Sequence, residues 1–270
     1  MAKVRRALTI AGSDSGGGAG IQADLKTFSA LGVYGASVIT AVTAQDTQRV
    51  YDFVEMTPEL VKKQIDAVLG DIGADAVKTG MLASAPIIET VAEGLRRWEA
   101  TAVVVDPVMV AKGGDRLLRE DAVAALKQHL IPLALVLTPN LPEAEVLVGH
   151  ELRTWDDIRD AARELHALGA RNVVMKGGHR DYDATATDLL FDGSDFREFS
   201  VGRVKTSNTH GTGCTFAAAI AASLAKGSVP RQAVAMAKAY VTKAMQMSFP
   251  LGHGRGPVHH FFRYWQDVSA

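Results

Sequence analysis

The chain has a single cysteine, Cys214, among 270 residues. A disulfide within it is excluded, and the usage suits a reducing compartment, so a cytoplasmic location is expected. No stretch reaches the roughly 18 uninterrupted apolar residues of a membrane helix. The first six residues include three basic ones, but Ser13 and Asp14 cut short the apolar run behind them, which leaves too little for a secretory signal core. An excess of either charge is also missing: 29 Lys and Arg stand against 30 Asp and Glu, a net charge of −1. The chain therefore carries no electrostatic footprint for nucleic acid or an anionic membrane. Aromatic residues are 6% of the total, too few for a base-stacking platform. Neither a low-complexity tract nor an internal repeat is present.

What the chain does have is apolar material, 47% of its residues, enough for the core of one large α/β domain spanning residues 1–270. Short β-branched runs predict strands over residues 7–11, 37–43, 75–79, 102–106, 134–138 and 172–176. Several are continuously apolar, as strands are when both faces of a sheet are covered. Amphipathic stretches between them predict helices over 21–30, 58–69, 86–99, 122–129, 142–148 and 156–168. Thr57 reads as an N-cap with Pro58 at the first helical position and Gly70 just past the end. This alternation argues for a mostly parallel sheet between helical layers. Residues 187–204 break the rhythm and read as an antiparallel hairpin around Asp192-Gly193-Ser194-Asp195. Helices over 215–225 and 231–248 follow. Ligands of such sheets bind beyond the carboxyl ends of the strands.

Four motifs fall there. Thr209-His210-Gly211-Thr212-Gly213-Cys214-Thr215 leads from small residues into an Ala-rich helix, where outward N–H groups and the helix dipole attract anionic oxygen. It reads equally as a tight turn before a packed helix. Gly12-Ser13-Asp14-Ser15-Gly16-Gly17-Gly18-Ala19-Gly20 also joins a strand to a helix. It lacks the Gly-Lys-Ser/Thr ending of a P-loop and the spacing of a dinucleotide fingerprint, so a flexible turn stays open. Asp106 and Glu143 are acidic residues near strand ends, suited to holding Mg²⁺ against phosphates. A helix cap explains Glu143 as well. Lys176, at another strand end, can neutralise a transferring phosphate or simply be solvated. Met81, after Val77-Lys78-Thr79-Gly80, lines a pocket or fills core.

Taken together, these residues resemble the ribokinase-like superfamily, and within it the hydroxymethylpyrimidine and phosphomethylpyrimidine kinases. The motifs run through nearly the whole chain: Leu8-Thr9-Ile10-Ala11-Gly12-Ser13-Asp14, Gly20-Ile21-Gln22-Ala23-Asp24, Thr43-Ala44-Gln45, Lys78-Thr79-Gly80-Met81, Asp106-Pro107-Val108-Met109, Thr138-Pro139-Asn140, His210-Gly211-Thr212-Gly213-Cys214 and Phe249-Pro250-Leu251-Gly252. Several long motifs in one order are specific where any single one is not. The resemblance implies a three-layer ribokinase-like α/β sandwich, ATP with Mg²⁺, and a homodimer. It puts the first Gly-rich loop at a pyrimidine rather than at ATP, with Gly12, Asp24, Gln45, Met81 and Val108 on the acceptor. It makes Gly211, Thr212, Gly213 and Cys214 the anion hole of the transferring phosphoryl group. It also gives Asn140, Lys176, Gly211 and Gly213 to the nucleotide and Asp106 and Glu143 to the metal.

Most ribokinase-like kinases carry an aspartate base where this chain has Cys214. Cysteine there resembles the pyrimidine kinases and a related group of bacterial pyridoxal kinases. The first turn of a helix is expected to lower the Cys214 pKa and so to suit it as the general base, with a small buried packing residue as the alternative. The expected reaction is ATP-dependent phosphorylation of 4-amino-5-hydroxymethyl-2-methylpyrimidine and then of its monophosphate. Gln45 favours this over pyridoxal, because a planar amide pairs with both a ring nitrogen and an exocyclic amine. A non-catalytic pyrimidine-binding regulator on the same fold is the rival of another class. Gly-rich Ala111-Lys112-Gly113-Gly114-Asp115 is expected to act as a lid.

Overall fold

A computed structural model describes residues 3–109, 120–179 and 184–265. The expected lid at Ala111–Asp115 lies outside the described residues. Nine strands form one sheet: β1 (Arg6–Asp14), β2 (Tyr34–Gln45), β3 (Val50–Glu55), β4 (Ala76–Thr79), β5 (Val103–Val105), β6 (Val136–Leu137), β7 (Val173–Met175), β8 (Thr185–Phe191) and β9 (Phe196–Gly202). The helices are α1 (Gly20–Ala30), α2 (Pro58–Ala67), α3 (Ala85–Arg97), α4 (Glu120–Ala125), α5 (Leu141–Val148), α6 (Trp155–Ala167), α7 (Thr212–Ala225) and α8 (Pro230–Gln246). None of them is long and apolar enough to cross a membrane.

The sheet order is β3-β2-β1-β4-β5-β6-β7-β8-β9. Strands β2, β1, β4, β5, β6 and β7 run parallel, while β3, β8 and β9 pair antiparallel at the two edges. Alternate strand residues feed two separate cores. Leu8, Ile10, Val77, Val103, Val105, Leu137 and Val173 pack under α2 to α6. Ala7, Ala76, Val104, Val136 and Val174 pack under α1, α7 and α8. Burial on both faces explains the continuously apolar runs, and the three layers match the expected sandwich.

Several boundaries differ from the sequence reading. The helix from Pro58 is capped as expected, with Thr57 accepting from Leu60 N, but it does not stop at Gly70. The chain makes a π turn over Val68–Ile72 and ends at Gly73, whose φ is +72°. Strand β3 was not expected. It is an edge strand whose turn is set by Asp46, which accepts from the Gln48 and Arg49 amides at 2.7 and 3.0 Å. The hairpin of β8 and β9 turns at the expected residues and begins two residues earlier than expected.

The order of connection positions the ligand site. From β1 the chain moves out one way to β2 and β3, then returns to the other side of β1 as β4. The sheet therefore changes winding direction between β1 and β4, where a crevice opens at the carboxyl ends. The ends of β1, β4, β5, β6 and β7 carry Asp14, Gly80, Asp106, Asn140 and Lys176.

Candidate active site

The first Gly-rich loop is organised by an acid. Asp14 is buried at the end of β1, and its carboxylate accepts from the amides of Gly16, Gly18 and Ala19 at 2.8, 3.0 and 2.7 Å. The Gly17 amide bonds the Asp14 carbonyl. The N–H groups of residues 16–19 are thus all engaged, which leaves no cradle for a phosphate there. His210 Nε2 adds a contact of 2.8 Å to Asp14 Oδ2. Burial opposes the Asp14 charge, but His210 and the loop amides outweigh it and hold the carboxyl below its usual range.

That contact joins two loops far apart in sequence. Gly211 caps α7 in the left-handed region, with φ +74°, and a Cβ there would stand 1.7 Å from the Gly18 carbonyl oxygen. The two Gly-rich turns therefore touch backbone to backbone, and only glycine fits at Gly211. The first-turn N–H groups of a helix have no intrahelical partner and attract anions; in α7 that of Thr212 donates to the Thr209 carbonyl at 3.3 Å. A Cβ on Gly213 would lie 3.5 Å from Lys176 Nζ and 3.9 Å from Asp106 Oδ2, so the helix start faces the Lys176 cluster.

Cys214 is half-buried on this turn, and its sulfur accepts from the Gly20 amide. The expected lowering of its pKa is corrected by its surroundings. Burial pushes the thiol up to about 11, Lys78 opposes the rise, and the carboxylates of Asp24 and Asp106 reinforce it.

Lys176 anchors the charged side of the site. Its ammonium lies 2.8 Å from Asp106 Oδ1 and 3.8 Å from Glu143 Oε2. Thr138 Oγ1 also donates to Asp106 Oδ1, at 3.1 Å. Burial works against the Lys176 charge, yet Asp106 and Glu143 raise its pKa above the ordinary lysine value. Glu143 answers both earlier readings of it. It completes a capping box with Asn140, with bonds of 2.8 and 2.9 Å, and it also sits at the lysine. Burial pushes its carboxyl up to about 7, against the pull of Lys176. Among the described residues no three His, Cys, Asp or Glu side chains gather as a metal cage. Two carboxylates beside one ammonium do fit Mg²⁺, which is commonly held by one or two carboxylates plus water and substrate phosphates.

The residues expected on the acceptor lie mostly about an apolar cluster. Met81, Ala41 and Ala83 form a small cluster of their own, packed by Val50, Phe53 and Val108. Gly12 borders it: a Cβ there would meet Met81 Sδ at 3.1 Å. Gln45 ends β2 with its backbone pinned to Ser15 Oγ at 2.8 Å. Its side-chain amide lies 3.3 Å from Thr43 Oγ1 and 3.5 Å from His210 Nε2. A cleft of about 380 Å³ opens beside it, lined by residues 45–50, His210 and residues 253–255; Lys176 and Asp106 are not part of that lining.

Asp24 departs from the expectation of a ligand contact. It is fully buried, bonded to Lys78 Nζ at 2.8 Å and Thr9 Oγ1 at 2.6 Å, with Oδ1 unpartnered. A side chain sealed in this way cannot touch an acceptor in the open crevice. Burial disfavours the Lys78 ammonium, but Asp24, Cys214 and Asp106 raise its pKa above the usual value. Sequence reasoning missed Lys78, Asp14 and His210 as partners. A lysine inside an apolar strand was the available signal for Lys78; a pair 196 residues apart left none.

A family model described as phosphomethylpyrimidine kinase matches residues 14–259. The chain belongs to this family. A Rhizobium meliloti hydroxymethylpyrimidine/phosphomethylpyrimidine kinase is 55% identical over 266 residues, covering 97% of this chain and 98% of that protein. The thiamine biosynthesis bifunctional protein ThiED of Geobacter sulfurreducens is 54% identical over 94% of this chain. Only 51% of that longer protein is spanned. Among solved structures, the ADP complex of Bacillus subtilis pyridoxal kinase superposes with a TM-score of 0.91 at 43% identity, covering 97% of this chain and all of that one.

Glu143 yields a pH test. Its carboxyl keeps a proton to about pH 7 in the folded protein, against an ordinary value of 4.5. The stability it contributes is therefore full below the ordinary value and lost as pH rises through about 7. Glu143→Gln keeps the cap. The melting temperature of this variant is expected to gain on the parent's as pH rises from about 5 to about 8. A difference that stays constant across that range contradicts the raised carboxyl.

Proposed function

We propose that this chain, as a single kinase domain over residues 1–270, phosphorylates 4-amino-5-hydroxymethyl-2-methylpyrimidine and then its monophosphate, using ATP, in thiamine biosynthesis. The observation that carries the reading is the contact between the two Gly-rich turns. On one side of it lie the apolar cluster of Met81 and Val108, bordered by Gly12, and the cleft beside Gln45; on the other lies an anion-attracting helix start beside Lys176. The relatives named as pyrimidine kinases support the substrate.

In this reading the pyrimidine ring lies on Met81 and Val108, and the Gln45 amide pairs with its ring nitrogen and amine. The hydroxymethyl oxygen points to Gly213 and Cys214. That oxygen bonds the γ-phosphorus while the bond to the bridging oxygen of ADP breaks. The N–H groups of Gly211, Gly213 and Cys214 hold the phosphoryl oxygens, Thr212 fixes the turn through its bond to Thr209, and Lys176 neutralises the charge. Asn140 keeps its Oδ1 in the α5 cap and offers Nδ2 to the nucleotide. Asp106 and Glu143 would hold Mg²⁺, which supplies charge neutralisation at the phosphates. Asp24 acts from behind, through Lys78. The protein acts as a cytoplasmic homodimer. Val42 and Val54, a cross-strand pair at the β3 edge, are 46% and 65% exposed and supply an apolar face for a second copy.

Pyridoxal kinase is the second reading, favoured by the likeness to the Bacillus subtilis enzyme. Turnover compared on the pyrimidine alcohol, its monophosphate and pyridoxal, at varied Mg²⁺, separates the two. A higher kcat/KM on the pyrimidines is expected. Gln45→Met should cost about 1–3 kcal/mol of that preference, because it leaves substrate polar groups unpaired. An unchanged preference removes Gln45 from the acceptor.

Cys214 is proposed as the proton acceptor. Because its thiol sits near 11, the parent's turnover should still be rising at about pH 9. Cys214→Ala should lower turnover roughly 100- to 10,000-fold and flatten that limb, and Cys214→Asp should shift it downward. Parental turnover in Cys214→Ala makes it a packing residue. For the dimer, Val54→Lys should halve the sedimenting mass, and a parent that sediments as a monomer sinks that reading.

A further inference from the structure

Lys176 does not hold its position alone. Its amide donates to the Pro139 carbonyl at 2.9 Å, which ties it to the end of β6. The next residue, Gly177, is held from the opposite side. Its amide donates to Asp188 Oδ1 at 3.0 Å, and a Cβ on it would stand only 1.8 Å from the Thr187 carbonyl oxygen. The backbone beside the lysine is therefore pressed onto β8 with no room to slide. Asp188 is fixed in turn, because its other oxygen takes Lys238 Nζ, from α8, at 2.8 Å. Asp188 is 5% exposed and Lys238 8%. Arg203, just past β9, adds a bond of 3.0 Å to the Gly178 carbonyl.

A buried ion pair is weak evidence of stabilisation, since an apolar pair of similar volume often serves as well or better. An apolar pair here could not accept the Gly177 N–H. The carboxylate divides its two oxygens between a helix and the amide adjoining the phosphate-side lysine, and the lysine on α8 keeps it in that orientation. We propose that Lys238 and Asp188 are positioning residues for phosphoryl transfer: they hold Gly177, and through it the Lys176 ammonium, in register with Asp106 and the start of α7. This rests on the reading of Lys176 as the cation that meets the transferring phosphate. Neither residue touches the reacting atoms.

The test is a cycle of variants read by turnover with ATP and the pyrimidine alcohol. Displacing a catalytic group by about 1 Å costs up to roughly 100-fold. Lys238→Met is accordingly expected to lower kcat about 10- to 100-fold, with the KM for the pyrimidine little changed. In a Lys176→Met background the same change should add less than about 3-fold, because residues that act through one another are not additive. A general loosening of the fold would give the same factor in both backgrounds and overturns the proposal, as does parental turnover in Lys238→Met. If Lys238→Met does not fold, the isosteric Asp188→Asn, which sets an amide against the Lys238 ammonium, enters the same cycle. Failure of both to fold assigns the pair to stability alone and overturns the proposal. Parental turnover in Lys176→Met instead defeats the underlying reading of Lys176 and leaves the bonds among Lys238, Asp188 and Gly177 without a catalytic role.

Discussion

The bond between Asp14 and His210 is the constraint on which the site depends. One carboxylate gathers the amides of the first loop and takes the imidazole that heads the second. With those amides engaged, the first loop is closed to phosphate, and the proposed anion site falls to the start of α7. The bond also brings Gly18 and Gly211 into contact, so the two halves of the crevice share a wall of bare backbone. Side chains larger than hydrogen would push the halves apart.

Behind that wall, charge is arranged in buried pairs. Asp24 with Lys78 lies under the helix start, Asp106 and Glu143 flank Lys176, and Asp188 holds Lys238. Each lysine meets a carboxylate at 2.8 Å, so cationic groups sit deep in the fold without large net charge. The thiol of Cys214 lies among these groups and feels the carboxylates as well as the cations. Burial, reinforced by those carboxylates, is why its position at a helix start does not make it acidic.

Much of the layered fold was legible in the sequence, because the strands are apolar on both faces and the helices carry their caps. Thr57 and Pro58 mark a start that holds, and the turn at Asp192–Asp195 marks a hairpin that forms. Strand β3 was not legible, since an exposed edge needs no continuous apolar run. The end of the helix from Pro58 was misread because Gly70 sits within a π turn. At the site, the glycines, Lys176, Asp106 and Glu143 were legible as residue types at strand ends. Their partners were not, because Asp14 with His210, Asp24 with Lys78 and Asp188 with Lys238 are chosen by tertiary packing and leave no local spacing to read. Asp24 shows the converse: the family resemblance put it on the acceptor, and burial gave it an internal partner.

The same long-range bond orders events during synthesis. His210 is fixed to Asp14 on one side, and its amide donates to the Gly256 carbonyl on the other. Strand β1 leaves the ribosome first, but its loop has no imidazole to bind until residue 210 emerges, and no brace for that imidazole until residue 256 follows. At about 5–20 residues per second, the Gly-rich loop waits roughly 10–40 seconds for its partner. Only the layer of α2 to α6 can pack in that interval, because α7 and α8 follow residue 210. A nascent chain of this protein therefore covers one face of its sheet before the crevice can close.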